Sequence, residues 1–477
     1  MKTLGGIWLD RRQSTTLQDQ LSRQIKELIQ RRDLKPQEML PSTRDLATQL
    51  KVSRNTVVYA YERLISEGYA ESRARSGVFI CSLVALPRRS REPDAPKRAK
   101  QLDDEISSPS RALRTPVPFR PCQPDVTLFP LPIWNRLRGR ALRQHGQQLL
   151  HYQASCVAGL PALRQSLARY LTASRGVHCD WRQIVITSGS QQALYLLADL
   201  IVPRYGKRVY MEDPGYLGAR LAWQNAGATI LPGALDEHGL MLPASDIKDL
   251  SLIYTTPSRQ FPTGVSLSLG RRLAILDYAV RNKTWVVEDD YDAEFRYNSA
   301  PLPSLQSLDA NDRVIYVGTF SKVLYPSLRL GYVVVPPSLF DAFRKIKHLI
   351  DDHGPLIDQA TLAMFLEGGA FHSHIRRCRK AYAERQALFL ELFRNSGLPL
   401  EFRDTDGGMN LVGWLPSGSD DYKLSSRLRS GGLDIPSISS FSLNRRDPGL
   451  VFGFTAFHPK RIKSAYEETA RLIAQAV

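Results

Sequence analysis

Lys322 stands between hydroxyl-bearing residues at the end of a strongly apolar stretch. The stretch VIYVG continues into Thr319-Phe320-Ser321-Lys322, and Arg329 follows seven residues after the lysine. A lysine amine can form a Schiff base with an aldehyde, while hydroxyl groups and an arginine hold a dianionic phosphate by charge-assisted hydrogen bonds. This combination suits pyridoxal phosphate, with Lys322 on the aldehyde and Thr319, Ser321 and Arg329 on the phosphate. Taken alone, an S-K dipeptide is more often a surface feature.

The segment 285–292, WVVEDDYD, runs from apolar residues into carboxylates. If its apolar half is a strand, the carboxylates lie at the C-terminal edge of a sheet, where α/β folds bind ligands. Asp289 would then pair with the pyridine nitrogen and keep it protonated, and Tyr291 would hydrogen-bond the phenolic oxygen. Without Lys322 further along the chain, a metal site or a solvated turn would explain the acidic cluster better.

Two further segments could complete a phosphate-binding site. The segment 184–194, IVITSGSQQAL, predicts a strand, a small polar turn and a helix, so that the backbone of Gly189, Ser190 and Gln191 could receive a phosphate at the helix start. The segment 212–216, EDPGY, offers Tyr216 as a ring that could stack on the cofactor. Such turns are common and a loop tyrosine more often packs against its neighbours, so each is weak evidence alone.

The elements that would position these residues alternate between apolar strands and helical patterns from residue 115 to the end, which is typical of an α/β fold. The segment 88–114 differs, because it is rich in charge, proline and serine and poor in apolar residues. Such a segment buries too little surface to fold alone and predicts a flexible linker. We therefore place an N-terminal domain at 1–82, the linker at 83–114 and a C-terminal domain at 115–477.

The N-terminal domain shows three helical patterns. Ser42 and Ser53 are suited to cap the second and third helices, and Asp45 follows Ser42 by three residues as in a capping box. The first helix carries Leu17, Leu21, Ile25, Leu28 and Ile29 on one apolar face. The third helix, 54–67, carries Val57, Ala60, Tyr61, Leu64 and Ile65 on its inward face.

The start of the third helix is polar on its outer side. The outward residues there are Arg54, Asn55, Thr56 and Tyr59. Two helices joined by a tight turn, with polar residues at the start of the second, are typical of a helix-turn-helix whose second helix enters the DNA major groove. Gly68 ends this helix, and the segment 69–80 predicts a β-hairpin with Arg73 and Arg75 at its basic tip. A three-helix packing or dimerisation module is the alternative for these features taken singly.

Charge and composition favour a nucleic-acid partner for the N-terminal part. The net charge of the 477 residues is +17, and the first 115 residues hold 22 Lys and Arg against 14 Asp and Glu, a surplus of eight. No apolar run reaches the roughly 20 residues that span a bilayer. The five cysteines are widely spread, with no C-x-x-C pair. We therefore expect reduced thiols in a cytoplasmic protein, with neither a membrane segment nor a metal site.

The segment 40–80, LPSTRDLATQLKVSRNTVVYAYERLISEGYAESRARSGVFI, resembles the winged helix of GntR-type regulators along its whole length. The resemblance implies that the partner is double-stranded DNA. The DNA-contacting residues that it implies are Arg44, Ser53, Arg54, Asn55 and Thr56, with Gly77 in the wing.

From about Phe119 onward the chain resembles fold-type-I aminotransferases. The resemblance rests on GLPALRQSLARYLTASRGV, ITSGSQQAL, MEDPGY, EDDYDAEF and the Lys322 segment, in this order. A GntR-like head joined to such a domain is typical of the MocR subfamily. It implies a multidomain fold, in which an α+β winged helix-turn-helix precedes an α/β pyridoxal-phosphate-binding domain, and a head-to-tail homodimer with cofactor sites near the subunit interface.

The same resemblance implies a transcription regulator that uses pyridoxal phosphate. An amino acid or amine could act as effector by forming an external aldimine with the cofactor. The alternative is a working pyridoxal-phosphate-dependent aminotransferase with the winged helix as an accessory. A keto-acid assay would separate the two hypotheses.

Two positions depart from the family pattern. Members commonly carry His-Gln-Phe-Pro where this chain has RQFP at 259–262, and the late segment 450–457, LVFGFTAF, lacks the arginine with which aminotransferases clamp a substrate carboxylate. The arginines that could replace it are Arg259, Arg403, Arg445 and Arg446. The missing arginine weakens the enzyme hypothesis more than it weakens cofactor binding. Neither the effector nor the target genes follow from the sequence.

Overall fold

The computed structural model describes residues 4–11, 15–31, 33–74, 76–81, 117–297, 302–403, 405–444 and 447–475. These residues form two compact units, one ending by residue 81 and the other beginning at residue 117. The predicted linker at 83–114 lies outside the described residues, and so do Arg75, Arg445 and Arg446. Within the described ranges, no helix has the length and apolar character needed to cross a membrane.

The first unit contains three helices followed by an antiparallel hairpin. In chain order its elements are α1 (Leu17–Gln30), α2 (Thr43–Leu50), α3 (Arg54–Ser66), β1 (Ala70–Arg73) and β2 (Gly77–Ile80). Ser42 and Ser53 cap α2 and α3, because their hydroxyls accept hydrogen bonds from the N–H groups of Asp45 and Thr56. Between the two helices Lys51 is left-handed, with a φ of 55°, which makes the turn tight. The predicted winged helix-turn-helix is confirmed.

The helices of this unit pack through the apolar faces that the sequence predicts. The predicted inward residues that are buried are Leu21, Ile25, Ile29, Val57, Ala60, Tyr61 and Leu64. Leu17, Leu28 and Ile65 are half-buried. The Tyr61 hydroxyl donates to the Pro41 carbonyl at 2.9 Å, which ties α3 to the start of α2.

A seven-stranded sheet forms the centre of the second unit. The strands of this region are β3 (Ile184–Thr187), β4 (Arg208–Glu212), β5 (Thr229–Gly233), β6 (Leu235–Asp236), β7 (Gly239–Leu240), β8 (Leu250–Thr255), β9 (Trp285–Asp290), β10 (Val314–Thr319) and β11 (Gly331–Val334). The order in the sheet is β3-β11-β10-β9-β8-β4-β5, and β6 pairs with β7 separately. Strand β11 is antiparallel to both of its neighbours, whereas the other pairs are parallel.

Helices cover both faces of this sheet and continue into a C-terminal lobe. The helices are α4 (Leu131–His145), α5 (Pro161–Arg175), α6 (Ser190–Tyr205), α7 (Leu217–Asn225), α8 (Leu269–Arg281), α9 (Leu305–Leu308), α10 (Pro337–Asp351), α11 (Leu356–Glu367), α12 (Ala370–Arg394), α13 (Asp421–Ser430) and α14 (Pro459–Ala474). Short 3-10 turns lie at Val126–Leu128, Gly146–Leu150, Ala154–Cys156, Trp181–Gln183, Pro326–Leu328 and Ile438–Phe441.

The C-terminal lobe has its own antiparallel sheet and aromatic core. Its strands, in spatial and chain order, are β12 (Glu401–Phe402), β13 (Asn410–Trp414) and β14 (Gly449–Gly453). Phe389 and Phe393 of α12 pack against Phe452 of β14, and Phe119 closes the cluster from the beginning of the unit. The lobe is therefore built from both ends of the second unit.

Every residue of β8, β9 and β10 is buried. Because helices cover both faces, these strands lack the alternation of a half-exposed strand and their sequences are mostly apolar. Parallel strands end at one edge of a sheet, so the loops after β3, β4, β8, β9 and β10 converge there. The predicted cofactor residues all belong to this edge or to the loop between β10 and β11.

Candidate cofactor site and DNA-binding surface

The carboxyl ends of β9 and β10 bring Asp289 and Lys322 together. The two strands are parallel neighbours, with Asp289 in register with Val317, five residues before the lysine. Lys322 is half-buried in the loop that follows β10, and its positive charge acts on the Asp289 carboxyl.

Asp289 is buried and is held by the next strand of the sheet. The Tyr254 hydroxyl of β8 donates to Asp289 Oδ2 at 2.7 Å, whereas Oδ1 is buried with no hydrogen-bond partner among the described residues. Burial raises the pKa of this carboxyl to about 7, against the lowering effect of the Tyr254 hydrogen bond. A buried carboxylate oxygen without a donor is costly. Oδ1 is therefore suited to accept a donor that belongs to a ligand.

Thr319 ends β10 and holds the loop that carries Lys322. Its Oγ1 accepts a hydrogen bond from the Ser321 N–H at 3.2 Å, and the Phe320 N–H donates to the Leu330 carbonyl at 3.0 Å. The loop is thereby closed onto the beginning of β11. The Ser321 hydroxyl is buried and forms no hydrogen bond with any described residue.

The turn between β3 and α6 lies against Arg329. Gly189 has a φ of +85° and precedes α6, whose start is capped by no described side chain. The Arg329 guanidinium donates to the Ser188 carbonyl at 2.7 Å. A Cβ on Gly189 would lie 3.0 Å from that guanidinium, and one on Gly331 would lie 2.7 Å from the Gly189 carbonyl carbon. The uncapped helix start and the guanidinium together form a concave site of the kind that binds phosphate.

Tyr216 lies just before α7 and contacts the same turn. Its hydroxyl donates to Gln191 Oε1 at 3.1 Å, and Gln191 Nε2 donates to the Gly218 carbonyl at 2.8 Å. Burial, followed by the charge of Asp289, raises the pKa of Tyr216 to about 12. The predicted phosphate turn and the predicted stacking ring therefore belong to one site.

Tyr291 follows β9, and the Phe261 ring contacts both Tyr291 and Tyr216. The Phe261 ring is edge-on to both tyrosines, with ring centroids 6.0 Å from Tyr216 and 5.9 Å from Tyr291. The Tyr291 hydroxyl is buried, and no residue in the described ranges is its hydrogen-bond partner. Burial raises its pKa well above the ordinary value.

The residues around Lys322 fit pyridoxal phosphate. The buried oxygens that lack a partner within the described chain include Asp289 Oδ1, Ser321 Oγ and Tyr291 Oη. Asp289 Oδ1 would accept a hydrogen bond from the pyridine nitrogen. Ser321 Oγ would donate to a phosphate oxygen, and Tyr291 Oη would donate to the phenolic oxygen. The amine of Lys322 would meet the aldehyde, and the helix start with Arg329 would meet the remaining phosphate oxygens.

Two residues of this edge escaped the sequence analysis. Tyr254 lies in LSLIYT, where apolar neighbours predict only a buried strand and nothing indicates that the hydroxyl reaches Asp289. Cys122 comes from the beginning of the unit. Burial raises the pKa of its thiol to about 11, and the charges of Lys322 and Asp292 act on it as well. No local pattern in the sequence signals a contact over such a chain distance.

The arginines that could replace the missing late-strand arginine differ in position. Arg259 is buried next to Asp292. Arg403 is exposed and lies 4.8 Å from the centroid of the Trp414 ring. In the described part of the chain, no group of three or more His, Cys, Asp or Glu side chains could hold a metal ion.

The predicted DNA-contacting residues of the helices lie around the start of α3. Arg44, Ser53, Arg54 and Asn55 are exposed, and Thr56 is half-buried. Ser53 and Thr56 also form the helix start, since the Ser53 hydroxyl accepts from the Thr56 N–H at 3.2 Å. The Arg54 side chain reaches Thr43 Oγ1 at 3.4 Å, which places it beside α2.

The hairpin β1–β2 has Arg73 paired with Gly77, which is exposed and has a φ of +110°. Arg73 has partners within its own unit. Its guanidinium contacts Glu71 and Gln37 and lies 4.5 Å from the centroid of the Phe79 ring. The basic tip that the sequence suggests is therefore partly neutralised in this structure.

A winged helix with an exposed basic helix start, followed by an aminotransferase-type sheet with a lysine and an aspartate at its edge, defines a class of DNA-binding regulators with a cofactor domain. Residues 17–80 match the family described as "Bacterial regulatory proteins, gntR family", and residues 137–449 match "Aminotransferase class I and II". The chain is 36% identical over 462 residues to "Probable rhizopine catabolism regulatory protein MocR" of Rhizobium meliloti, covering 95% of this chain and 93% of that protein. It belongs to the MocR subfamily of GntR-type regulators.

Other comparisons agree with this assignment. The pyridoxine biosynthesis transcriptional regulator PdxR of Corynebacterium glutamicum is 32% identical over 451 residues, with 94% of each chain covered. A crystal structure of kynurenine aminotransferase from Pyrococcus horikoshii superposes with a TM-score of 0.70 at 27% identity, covering 82% of this chain and 97% of that chain. The protein is thus a DNA-binding transcription regulator whose second domain has the fold-type-I aminotransferase fold and takes pyridoxal phosphate as cofactor.

Proposed function

We propose that the protein is a sensor in which pyridoxal phosphate, alone or together with an amino compound, sets the affinity of the winged helix for its operator. The observation that carries the proposal is the group of buried, unsatisfied oxygens around Lys322, within the described residues, on Asp289, Ser321 and Tyr291. If the ligand satisfies them better in one conformation than in another, its binding shifts the population of conformations. That differential binding is what couples the cofactor to DNA affinity.

Each residue of the site has a part in this proposal. Lys322 would be the residue that bonds covalently to the aldehyde, and Asp289 would accept a hydrogen bond from the pyridine nitrogen and keep it protonated. Tyr291 would donate to the phenolic oxygen, and Tyr216 would pack against the ring. The phosphate is held by Gly189, Ser190, Gln191, Thr319, Ser321 and Arg329. When bound, the cofactor supplies an electron sink for an attached amine.

On the DNA side, the proposed contacts follow the exposed start of α3. Arg54 and Asn55 would reach base edges in the major groove, while Arg44 and the helix start at Ser53 and Thr56 would contact phosphates. Gly77, which has no side chain, would let the wing approach the sugar-phosphate backbone of the DNA closely. Since a regulator of transcription acts on the genome, we place the protein in the cytoplasm.

The first experiment measures binding of the purified protein to DNA upstream of its own gene, with and without pyridoxal phosphate. Salt is held constant, because phosphate contacts make affinity strongly salt-dependent. We expect specific binding that changes with cofactor in the wild type and does not change in Lys322→Ala, which should also lose the borohydride-trapped adduct. Specific binding that is indifferent to cofactor would contradict the sensor proposal.

A working aminotransferase is the second candidate function. The Lys322–Asp289 arrangement and the fold favour it, whereas the absence of arginine from the segment 450–457 favours the sensor. An assay of keto-acid formation decides between them. Turnover of about 1 per second, which is ordinary for enzymes, would reject a purely sensory role.

We infer that the protein forms a head-to-tail homodimer through an apolar face on the second unit. Leu150 is 70% exposed, Tyr152 90% and Leu349 83%. The Tyr152 ring lies 5.9 Å from that of His353, which follows α10 four residues after Leu349, so Tyr152 lies beside the end of that helix. Exposed apolar clusters of this kind mark association surfaces. Light scattering should give a dimer for the wild type and a monomer for Leu349→Asp.

A further inference from the structure

A buried ion pair lies at the cofactor edge and is not among the residues proposed to hold the cofactor. Arg259 lies in the loop after β8 and Asp292 follows β9, and their side chains are 2% and 1% exposed. Arg259 Nε lies 3.4 Å from Asp292 Oδ2. A buried pair of this kind is expensive to desolvate, so its presence calls for an explanation.

The pair lies beside the proposed cofactor residues that follow β9. Asp292 comes directly after Tyr291, and the ring of Phe261, two residues after Arg259, lies 5.9 Å from the Tyr291 ring. Tyr291 is a proposed cofactor contact. Beyond the effect of burial, the charge of Asp292 raises its pKa and the charge of Arg259 lowers it.

The hydrogen bonds made by the Arg259 guanidinium are few and long. The terminal nitrogens of Arg259 donate to the carbonyls of Asp406 at 3.5 Å and Asn410 at 3.3 Å, which are long distances for hydrogen bonds. Arg259 Nε makes no hydrogen bond within the described part of the chain. The guanidinium can therefore accommodate a better acceptor.

The backbone holds the guanidinium in place. A Cβ on Gly264 would lie 3.0 Å from its terminal nitrogen, and a Cβ on Gly408 would lie 2.1 Å from its central carbon. Glycine at these two positions lets the chain pack directly against Arg259. The side chain is thus fixed in position while its terminal nitrogens make only long hydrogen bonds, which is the condition of a preorganised binding group.

Three other arginines of the second unit are engaged or exposed. Arg329 donates to a carbonyl of the phosphate turn at 2.7 Å, and Arg175 pairs with Asp290 at 2.7 Å. Arg403 is exposed. Of these four arginines, Arg259 is the one that combines burial with long hydrogen bonds and a nitrogen that has no partner among the described residues.

We propose that Arg259 binds the carboxylate of the effector, which is therefore an amino acid and not a simple amine. The inference rests on the proposed sensor function, because the effector's amino group must reach the cofactor at Lys322. A carboxylate would replace the two long contacts of Arg259 with short charge-assisted hydrogen bonds. The arginine in RQFP then supplies the anion-binding group that the segment 450–457 lacks.

Asp292 is the counter-ion of Arg259 when no effector is bound. Burial raises the pKa of its carboxyl to about 7, against the lowering effect of Arg259. Near neutral pH, Asp292 can therefore take up a proton when an effector carboxylate replaces it on the guanidinium.

The test uses the full-length protein loaded with pyridoxal phosphate and two pairs of probes that differ by one carboxylate. The pairs are L-alanine with ethylamine and 4-aminobutyrate with propylamine. Apparent dissociation constants come from the change in visible absorbance. In at least one pair, we expect the wild type to bind the acid about tenfold or more tightly than the amine. Arg259→Gln should lose this preference, Arg259→Lys should keep part of it, and Arg403→Gln, the exposed control, should keep all of it.

Asp292→Asn separates ligand recognition from a structural ion pair. Removing the competing carboxylate should increase the preference for the acid, whereas loss of a structural pair would lower the thermal midpoint and leave the preference unchanged. Equal constants within both pairs in the wild type, or a preference that survives in Arg259→Gln, would overturn the assignment. Absence of the cofactor's visible absorbance in the wild type would instead overturn the sensor proposal on which it rests.

Discussion

Asp289 is held in one orientation with only part of its hydrogen-bonding capacity used. Tyr254 occupies Oδ2, the surrounding strands exclude water, and Oδ1 has no donor among the described residues. The energetic cost of that oxygen is present before the cofactor binds and is relieved when a pyridinium N–H reaches it. A single residue thus links the stability of the second unit to its ligand.

The first prediction concerns cofactor affinity. Asp289→Asn should weaken pyridoxal-phosphate binding by about tenfold or more, because an amide cannot keep the pyridine nitrogen protonated. Tyr254→Phe should have a smaller effect in the same direction, since it removes only the group that orients the carboxyl. Both affinities can be measured by absorbance titration. Equal losses of affinity in the two variants would contradict the proposal that Asp289 contacts the cofactor while Tyr254 only orients Asp289.

The second prediction concerns pH. Burial raises the pKa of Asp289 to about 7, so the native carboxyl keeps its proton at pH values where the unfolded chain, near its ordinary value of 3.8, has released it. The native state then binds more protons, and the stability of the cofactor-free protein falls as pH rises from about 4 to about 7. Asp289→Asn should be less sensitive to pH over this range, by up to about 1.4 kcal/mol per pH unit.

Thermal midpoints of the cofactor-free proteins between pH 5 and pH 8 would check this. Asp292 and Glu288, whose pKa values burial also raises to about 7, contribute with the same sign in both proteins. The informative quantity is therefore the difference between variant and wild type. A difference that stays constant with pH would show that Asp289 does not titrate there.

At the scale of elements, the phosphate turn depends on close packing between β11 and the start of α6. Gly331→Ala should displace this turn, because the new Cβ would lie 2.7 Å from the Gly189 carbonyl carbon and 2.9 Å from the Ser190 nitrogen. These neighbours are backbone atoms of the Gly189–Ser190 turn and cannot rotate away as a side chain could. We therefore expect a destabilisation of about 1–3 kcal/mol and weaker cofactor binding. Gly270→Ala in α8, where a new Cβ would meet nothing within 4 Å, is the matched control and should lower neither the stability nor the cofactor affinity.

The recognition helix permits a similar comparison between its two ends. Arg54→Ala at the start of α3 should weaken operator binding by about 1–3 kcal/mol and leave non-specific binding nearly unchanged, because Arg54 is proposed to contact base edges, while cofactor absorbance stays the same. Arg63→Ala, on the same helix, is the control, because Arg63 is already paired with Asp19 and Glu67. Equal losses of operator affinity in the two variants would mean that the effect comes from the lower net charge of the protein and not from a direct contact between Arg54 and DNA.

Elements with local signals were predictable from the sequence, whereas contacts between distant segments were not. Ser42 and Ser53 stand at the helix starts where their side chains suit a cap, and the acids of β9 follow an apolar run. Tyr254 and Cys122 carry no such signal, because their roles depend on which strand or segment lies beside them in three dimensions. Arg259 was one of four candidates until burial and contacts distinguished it from Arg403.

For the whole molecule, the net charge of +17 and the division into two units determine how regulation can be measured. The positive charge favours association with DNA of any sequence and makes all DNA affinities depend on salt. Specific regulation must therefore appear as a change in the ratio of operator to non-specific binding. A change in overall affinity alone would reflect electrostatics.

Coupling between the cofactor site and the winged helix must also be reciprocal. If pyridoxal phosphate changes operator affinity by some factor, the operator must change cofactor affinity by the same factor, because both are differences within one thermodynamic cycle. We expect a factor of about 5 to 150, which is typical of allosteric proteins. Absorbance titrations of the cofactor with operator DNA, with scrambled DNA of equal length and without DNA would measure it at fixed salt. If operator and scrambled DNA had the same effect, the cofactor domain would be responding to charge and not to sequence recognition by α3.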